Sequence, residues 1–194
     1  MATNIEYEVP TWNQIYDMLV DQAEKIRQAG FKPDVIVGVS RGGLVPVRIL
    51  TDLLEATQIA VIRIEFYVGI AQRSIEPVLK QPLVIPVSGK KVLLVDDISD
   101  SGQSLKLART HLFEKGASEV KIATLYVRTN TQIKPDYFEK ETDSWIVFPW
   151  EIKETLRKIS QNQEGKRAVN QEIAKLIKAG LPKQLAEKTL KTMH

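Results

Sequence analysis

The sequence has 194 residues, of which 43% are hydrophobic and 26% charged, with a formal net charge of +3, a composition typical of a folded globular domain. It contains no cysteine and only two histidines, which excludes disulfides, thiolate metal sites and metal sites built from several histidines. No apolar run approaches the ~20 residues that cross a bilayer, and the N-terminus lacks the basic and apolar regions of a secretory signal, so we expect a cytoplasmic protein without membrane contact.

The first predicted elements are a helix, a buried strand and a second helix. Apolar residues at spacings of three and four between Trp12 and Ile26 predict an amphipathic helix. Val35–Val39 is a short continuous apolar run, which is typical of a strand buried on both faces. The segment Ser40-Arg41-Gly42-Gly43 follows this strand and precedes a helix. It is either a tight turn or an anion-binding loop in which Arg41 supplies a fixed positive charge.

The next strand leads into a segment without a clear period. Ile59–Tyr67 alternates well enough to be a strand, and Tyr67 is either an ordinary aromatic residue at its end or part of a lid. Val68 to Pro86 contains one glycine and three prolines among polar residues, and we predict a long loop that acts as a lid. The alternative is a solvent-exposed β-hairpin without a catalytic role.

The most informative stretch is Lys91–Leu105, KVLLVDDISDSGQSL. Its apolar residues predict a buried strand, which ends in Asp96 and Asp97. Asp100 and a cluster of serines with Gly102 follow, and then a helix begins. Amide groups at a helix N-terminus bind phosphate, and glycine lets the backbone approach the anion. The acids suit ribose hydroxyls or a magnesium ion shared with a phosphate, although an N-cap role is the simpler alternative.

The remaining elements are a helix, two strands and a basic tail. The helix Ser104–Lys115 carries His111, which we expect to be a surface or core residue and not a catalyst. Val120–Val127 predicts a strand, and Trp145–Phe148 predicts an edge strand. From residue 152 onward the chain has ten Lys and Arg against four Glu, while the remainder has 17 basic and 20 acidic residues. This tail predicts a helical hairpin that serves packing or oligomerisation, with nucleic-acid binding as the alternative.

Residues Val92–Ser104 resemble, at every position, the phosphoribosyl pyrophosphate (PRPP) signature of the type I phosphoribosyltransferases. The resemblance implies that Asp96 and Asp97 hold the ribose hydroxyls. It also implies that a loop wraps the 5′-phosphate, made of Asp100, Ser101, Gly102, Gln103 and Ser104. In the purine enzymes of this family, the loop matching Ser40, Arg41, Gly42 and Gly43 binds pyrophosphate and has a cis peptide bond between its first two residues. Tyr67 matches a tyrosine of the family's catalytic lid.

A second motif resembles the base-binding hood of the 6-oxopurine enzymes, W-I-x-x-P-W followed by an acid. It spans Trp145 to Glu151, which we call the hood. The resemblance implies that Trp145 stacks on the purine, that the backbone of Ile146 contacts the purine edge, and that Glu151 orients magnesium-bound water. These enzymes place a lysine where this chain has Arg128, so both adenine and a 6-oxopurine stay open as the base.

The resemblance covers roughly residues 5–152. It implies an α/β protein of the type I phosphoribosyltransferase fold, with a mostly parallel sheet flanked by helices. We expect residues 1–152 to form the catalytic domain with its hood, and residues 153–194 to form a helical extension. The implied activity is a Mg²⁺-dependent purine phosphoribosyltransferase of purine salvage, with Asp100 as general base or as acceptor at purine N7. A homodimer or higher homo-oligomer is expected. The alternative is a PRPP- or purine-sensing regulator with a nucleic-acid-binding tail.

Overall fold

The computed structural model describes residues 5–56, 58–68, 75–162 and 165–193. The chain divides into two compact units, which we describe separately. The larger unit is Tyr16–Thr142, and the smaller unit combines Met1–Ile15 with Asp143–His194. No helix within the described ranges has the length and hydropathy needed to cross a bilayer.

Fourteen helices and strands lie within the described residues. In chain order they are β1 (Tyr7–Glu8), α1 (Trp12–Gln28), β2 (Val35–Ser40), α2 (Leu44–Leu53), β3 (Ile59–Val68), β4 (Ile75–Gln81), β5 (Lys91–Ser99), α3 (Gln103–Glu114), β6 (Glu119–Val127), β7 (Tyr137–Glu141), β8 (Trp145–Ile146), α4 (Ile152–Asn162), α5 (Lys166–Lys178) and α6 (Lys183–Lys191).

The larger unit is built on a six-stranded sheet with the strand order β4-β3-β2-β5-β6-β7. All neighbours are parallel except β3 and β4. β2 and β5 consist mainly of buried apolar residues, as expected of central strands covered on both faces. The predicted α/β fold with a mostly parallel sheet is therefore confirmed.

The position of β2 beside β5 determines where a ligand can bind. β2 lies between β3 and β5, so the chain order reverses at this point of the sheet. The carboxyl ends of parallel strands meet at one edge, and ligands of open α/β sheets bind at such a reversal. The loops that follow β2 and β5, which are the two anion loops of the sequence, are therefore neighbours.

The segment Val68 to Pro86 differs from the predicted long loop. Residues Ile75–Gln81 form β4, which pairs antiparallel with β3 and places Tyr67 opposite Glu76. The described side chains of β4 alternate between exposed and half-buried, so this edge strand has no apolar run that the sequence could reveal. Pro77 is tolerated because an edge strand has one side without ladder partners. The antiparallel pairing of β3 with β4 therefore agrees with the alternative of a β-hairpin. Residues 69–74, which connect the two strands, lie outside the described part of the chain.

The smaller unit combines the two-residue strands β1 and β8, which are parallel, with helices α4, α5 and α6. The predicted hairpin of the tail corresponds to α5 and α6. Helix α4 was not predicted, although Ile152, Leu156 and Ile159 have helical spacing. The predicted domain boundary between residues 152 and 153 lies inside the smaller unit, because that unit contains both the hood and the extension.

His111 is a core residue of the larger unit with a satisfied side chain. It lies on α3, is 8% exposed, and its Nε2 accepts a hydrogen bond from the backbone N–H of Leu83 at 3.1 Å. Burial lowers the pKa of His111, the nearby Lys115 lowers it further, and Glu114 acts in the opposite direction. His111 is therefore held neutral, since a protonated Nε2 cannot accept this hydrogen bond.

We expect His111 to make the stability of the protein depend on pH. A histidine whose pKa is lowered by folding contributes fully to the free energy of unfolding when the pH is above its ordinary pKa of 6.5. This contribution to the free energy of unfolding decreases as the pH falls below 6.5. In urea titrations at pH 8 and pH 5, the wild type should lose more free energy of unfolding than His111→Gln, whose amide oxygen still accepts from Leu83. Equal losses would contradict this role of His111.

Candidate active site

The loop after β2 is a tight turn that is fixed by its own backbone hydrogen bonds. The peptide bond between Ser40 and Arg41 is cis, as the resemblance implied. The amide of Gly43 donates to Val39 O at 2.9 Å, and the amide of Leu44 donates to Arg41 O at 3.2 Å. A methyl group on Gly43 would lie 2.9 Å from Val39 O, so this position requires glycine.

Three acids lie at the carboxyl end of β5, in different surroundings. The strand continues past the end predicted at Asp96 and Asp97 to Ser99, so these two acids belong to β5 and Asp100 to the loop after it. Asp97 is 6% exposed, Asp96 is half-buried, and its Oδ1 accepts the amide N–H of Asp97 at 3.0 Å. The side chain of Asp100 is 74% exposed. Gly102 has a φ of +78° and precedes α3, which begins at Gln103 without a side-chain cap. The first amides of α3 have no carbonyl partner within the helix, and that of Gln103 makes only a long contact, 3.4 Å, with Ser101 Oγ, so this helix end can bind an anion.

The loop after β2 approaches the end of β5, where Gly42 faces the side chain of Asp97. A methyl group on Gly42 would lie 2.5 Å from Cγ of Asp97, well inside van der Waals contact. Only a glycine therefore lets the loop after β2 approach this buried carboxyl group. The structure brings together the two segments to which the sequence analysis assigned pyrophosphate and ribose.

The loop after β6 is fastened to the loop after β5 by groups that the sequence analysis missed. Ser99 is 1% exposed, and its hydroxyl hydrogen-bonds to Thr131 Oγ1 and Ile133 O, each at 2.8 Å. The amide of Gln132 donates to Ser101 O at 3.1 Å. A methyl group on Gly102 would lie 2.7 Å from the Ile133 amide. The only sequence signal was a hydroxyl residue at the end of a buried strand.

Arg128 and Asp100, two predicted site residues, form an ion pair. Arg128 Nε donates to Asp100 Oδ1 at 3.1 Å, and Nη1 donates to Thr142 O at 3.3 Å. The Arg128 side chain is 14% exposed, whereas that of Asp100 is 74% exposed. The guanidinium group is thus oriented from two sides, and it holds one oxygen of a carboxylate that otherwise faces solvent.

The hood residues lie in the smaller unit. Trp145 is 51% exposed, as a stacking surface requires, and Ile146 is buried. The amide of Trp145 donates to O of Glu6, the residue before β1, at 2.7 Å, and the amide of Val147 donates to O of Glu8 on β1 at 2.8 Å. Because alternate residues of a strand turn their N–H and C=O to opposite sides, those of Ile146 point away from β1. Glu151, half-buried, directly precedes α4.

Two further predictions concern Tyr67 and the metal. Tyr67 lies near the end of β3, but its side chain is outside the described part of the chain. Among the described residues, no three His, Cys, Asp or Glu side chains form a cluster that could hold a metal ion. Mg²⁺ often binds through one or two carboxylates together with substrate phosphates, and the adjacent Asp96 and Asp97 offer oxygen donors of this kind.

Residues 11–155 match the phosphoribosyl transferase domain family, so the chain belongs to this family and is an enzyme of the phosphoribosyltransferase class. The predicted family and the prediction of an enzyme are confirmed, which disfavours the alternative of a regulator without catalytic activity.

Individual relatives agree with this assignment. The chain is 32% identical over 150 residues to a xanthine-guanine phosphoribosyltransferase of Cereibacter sphaeroides, covering 73% of this chain and 85% of the relative. The crystal structure of a purine phosphoribosyltransferase from Pyrococcus horikoshii is 38% identical, with a TM-score of 0.69 over 75% of this chain and 94% of that one. A hypothetical protein from Neisseria gonorrhoeae with bound ppGpp is 27% identical, with a TM-score of 0.69 over 77% and 91%.

Proposed function

We propose that this enzyme transfers the 5-phosphoribosyl group from PRPP to N9 of a 6-oxopurine in purine salvage, releasing pyrophosphate. The observation that carries the proposal is the close approach of Gly42 to Asp97, which joins the assigned pyrophosphate loop to the carboxylates assigned to the ribose, at the sheet reversal. Purine phosphoribosyltransferases among the similar proteins support the choice of acceptor.

The PRPP half of the site is assigned to the loop after β2 and to the end of β5 with the loop that follows it. The loop Ser40 to Gly43, with the Arg41 side chain, binds the pyrophosphate group. Asp96 and Asp97 accept from the ribose hydroxyls. The segment Asp100–Ser104 and the first amides of α3 bind the 5′-phosphate. Asp96, Asp97 and Glu151 would hold Mg²⁺ through water or substrate oxygens, and the ion would neutralise charge on the leaving pyrophosphate.

The chemistry requires little covalent work from the protein. The C1–pyrophosphate bond breaks as N9 of the base attacks, and the positioned groups stabilise the charge that moves to the leaving group. Asp100 accepts the N7 proton of the purine through the oxygen that Arg128 does not bind. The β3–β4 hairpin, with Tyr67 near its end, is assigned to cover the reaction centre and exclude water.

The base half of the site is assigned to Trp145, Ile146 and Arg128. Trp145 stacks on the purine face, and the backbone of Ile146 contacts the purine edge. Arg128 carries only donors, which match a 6-oxygen and cannot accept from the 6-amino group of adenine. Its contacts with Asp100 and Thr142 fix the direction of these donors.

Hypoxanthine and adenine test this assignment, because they carry a 6-oxo and a 6-amino group on the same ring system. We expect kcat/KM for hypoxanthine to exceed that for adenine by at least about 100-fold, since a site of oriented donors rejects a ligand that leaves them unpaired. In Arg128→Gln, whose amide offers both a donor and an acceptor, this ratio should fall by at least about tenfold. A wild-type preference for adenine would refute the 6-oxopurine assignment.

A further inference from the structure

The base-binding strand β8 is too short to hold its own position. It has two residues, and its partner in the sheet is β1, which also has two. Trp145 lies opposite Tyr7, and Ile146 lies opposite Glu8. An isolated pair of strands is marginal even at greater length, so other contacts must fix β1 and β8.

A hydrogen bond from Tyr7 connects β1 to helix α5 of the C-terminal extension. The Tyr7 hydroxyl donates to Glu172 Oε2 at 2.9 Å, and Lys175 Nζ contacts Glu172 Oε1 at 2.7 Å. The Glu172 side chain is 15% exposed. Burial, with a further contribution from Glu172, raises the pKa of Tyr7 to about 12, so its hydroxyl keeps its proton at neutral pH. Lys175 is the main cause that lowers the pKa of Glu172, which keeps the acceptor ionised.

Apolar packing connects β8 to the same extension. Val147, which directly follows Ile146, is fully buried in a cluster with residues of all three C-terminal helices or their connections. The buried members of this cluster are Val147, Leu156, Ile159, Leu176, Leu181 and Ala186. Tyr7 and Val9 pack against it from β1 and the residue after it. Residues of both strands, or directly after them, therefore pack against the helices of the extension.

We infer that the extension serves as the support of the base-binding strand, with Tyr7 and Glu172 as positioning residues that act through β1 on Trp145 and Ile146. The inference rests on the proposed function, which assigns the base to these two hood residues. It gives the extension a role in base binding that does not require the extension to touch the base.

Conservative substitutions separate positioning from general stability. Tyr7→Phe keeps the packed ring and removes the hydroxyl, and Glu172→Ala removes the acceptor. Each should raise KM for hypoxanthine by about fivefold, the effect expected for one lost hydrogen bond, and leave KM for PRPP within about twofold. Glu172→Gln, which keeps an acceptor oxygen, should restore most of the affinity. Tyr16→Phe and Glu187→Gln, at exposed positions of α1 and α6, are the controls and should change neither constant.

A second measurement is independent of catalysis. Hydrogen exchange at the amides of Trp145 and Val147, which donate to β1 and the residue before it, should be faster in Tyr7→Phe and Glu172→Ala than in the controls. Unchanged exchange, or equal increases in KM for hypoxanthine and PRPP, would overturn the inference. If the wild type converts none of the purine bases to a nucleotide, the proposed function is wrong. The exchange rates would still decide whether the extension positions β8.

Discussion

Replacing Asp100 with asparagine is expected to lower kcat for the preferred purine by about 100- to 1000-fold, the range of a lost acid-base group. The reason is that asparagine keeps the shape of the side chain but loses the charge that, in the proposed function, accepts the N7 proton. The substitution also weakens the contact with Arg128 Nε, which the wild type makes at 3.1 Å. Steady-state kinetics with saturating PRPP and base would measure the effect.

The KM for PRPP distinguishes the assigned role of Asp100 from damage to the loop. It should stay within about threefold, because the proposed function assigns most of the phosphate contacts to backbone amides and neighbouring side chains of the loop. Asp17→Asn, at an exposed position of α1, is the matched control and should be fully active. A variant of Asp100 with near-normal kcat, or one with a greatly raised KM for PRPP, would contradict the role at N7.

Replacing Gly42 with alanine is expected to reduce kcat/KM for PRPP by at least about 100-fold, as a displacement of about 1 Å in an active site can do. The added methyl group would lie 2.5 Å from Cγ of Asp97, so the loop after β2 or the end of β5 must move. The proposed function assigns both segments to PRPP and assigns the base to other residues. The effect should therefore appear with every purine that the enzyme accepts.

The control for this variant is Gly89→Ala. Gly89 has a φ of +71°, and a methyl group there meets nothing within 4 Å, so alanine strains the backbone without touching a loop of the site. It should lower the melting temperature and leave KM for PRPP unchanged. If Gly42→Ala bound PRPP normally, the contact between Gly42 and Asp97 would have no role in the site.

The parts of the site that are continuous in sequence could be predicted from it. Val92–Ser104 contains a buried strand, its acids and the start of a helix, so thirteen consecutive residues carry the local structure on which the assigned chemistry depends, although the strand continues to Ser99 and not only to the acids. The same holds for Ser40 to Gly43, where the implied cis peptide bond is present. A strand, a tight loop and a helix N-terminus are determined mainly by near neighbours along the chain.

The contacts between loops could not be predicted, because they depend on the order of the strands. Arg128 and Asp100 are 28 residues apart and meet only because β5 and β6 are neighbours in the sheet. Ser99 reaches Thr131 and Ile133 for the same reason. From the sequence, Arg128 was assigned only to the base. Its ion pair with Asp100 could not be predicted, because the two residues are far apart along the chain.

Edge and surface elements were the other source of error. β4 lacks an apolar run because both its faces are partly exposed, so its sequence looks like a loop. The extension looked like an appendage because its lysines dominate the composition, while the residues that join it to the hood are few. The bond between Tyr7 and Glu172 spans 165 residues and leaves no local signal.

The central claim is that these loops and the hood make a purine phosphoribosyltransferase. The most direct measurement incubates the full chain with Mg²⁺, PRPP and each of hypoxanthine, guanine, xanthine and adenine, and quantifies nucleotide and pyrophosphate by chromatography. The account predicts a nucleoside 5′-monophosphate and pyrophosphate in equal amounts with at least one 6-oxopurine. The absence of nucleotide with all four bases would contradict it.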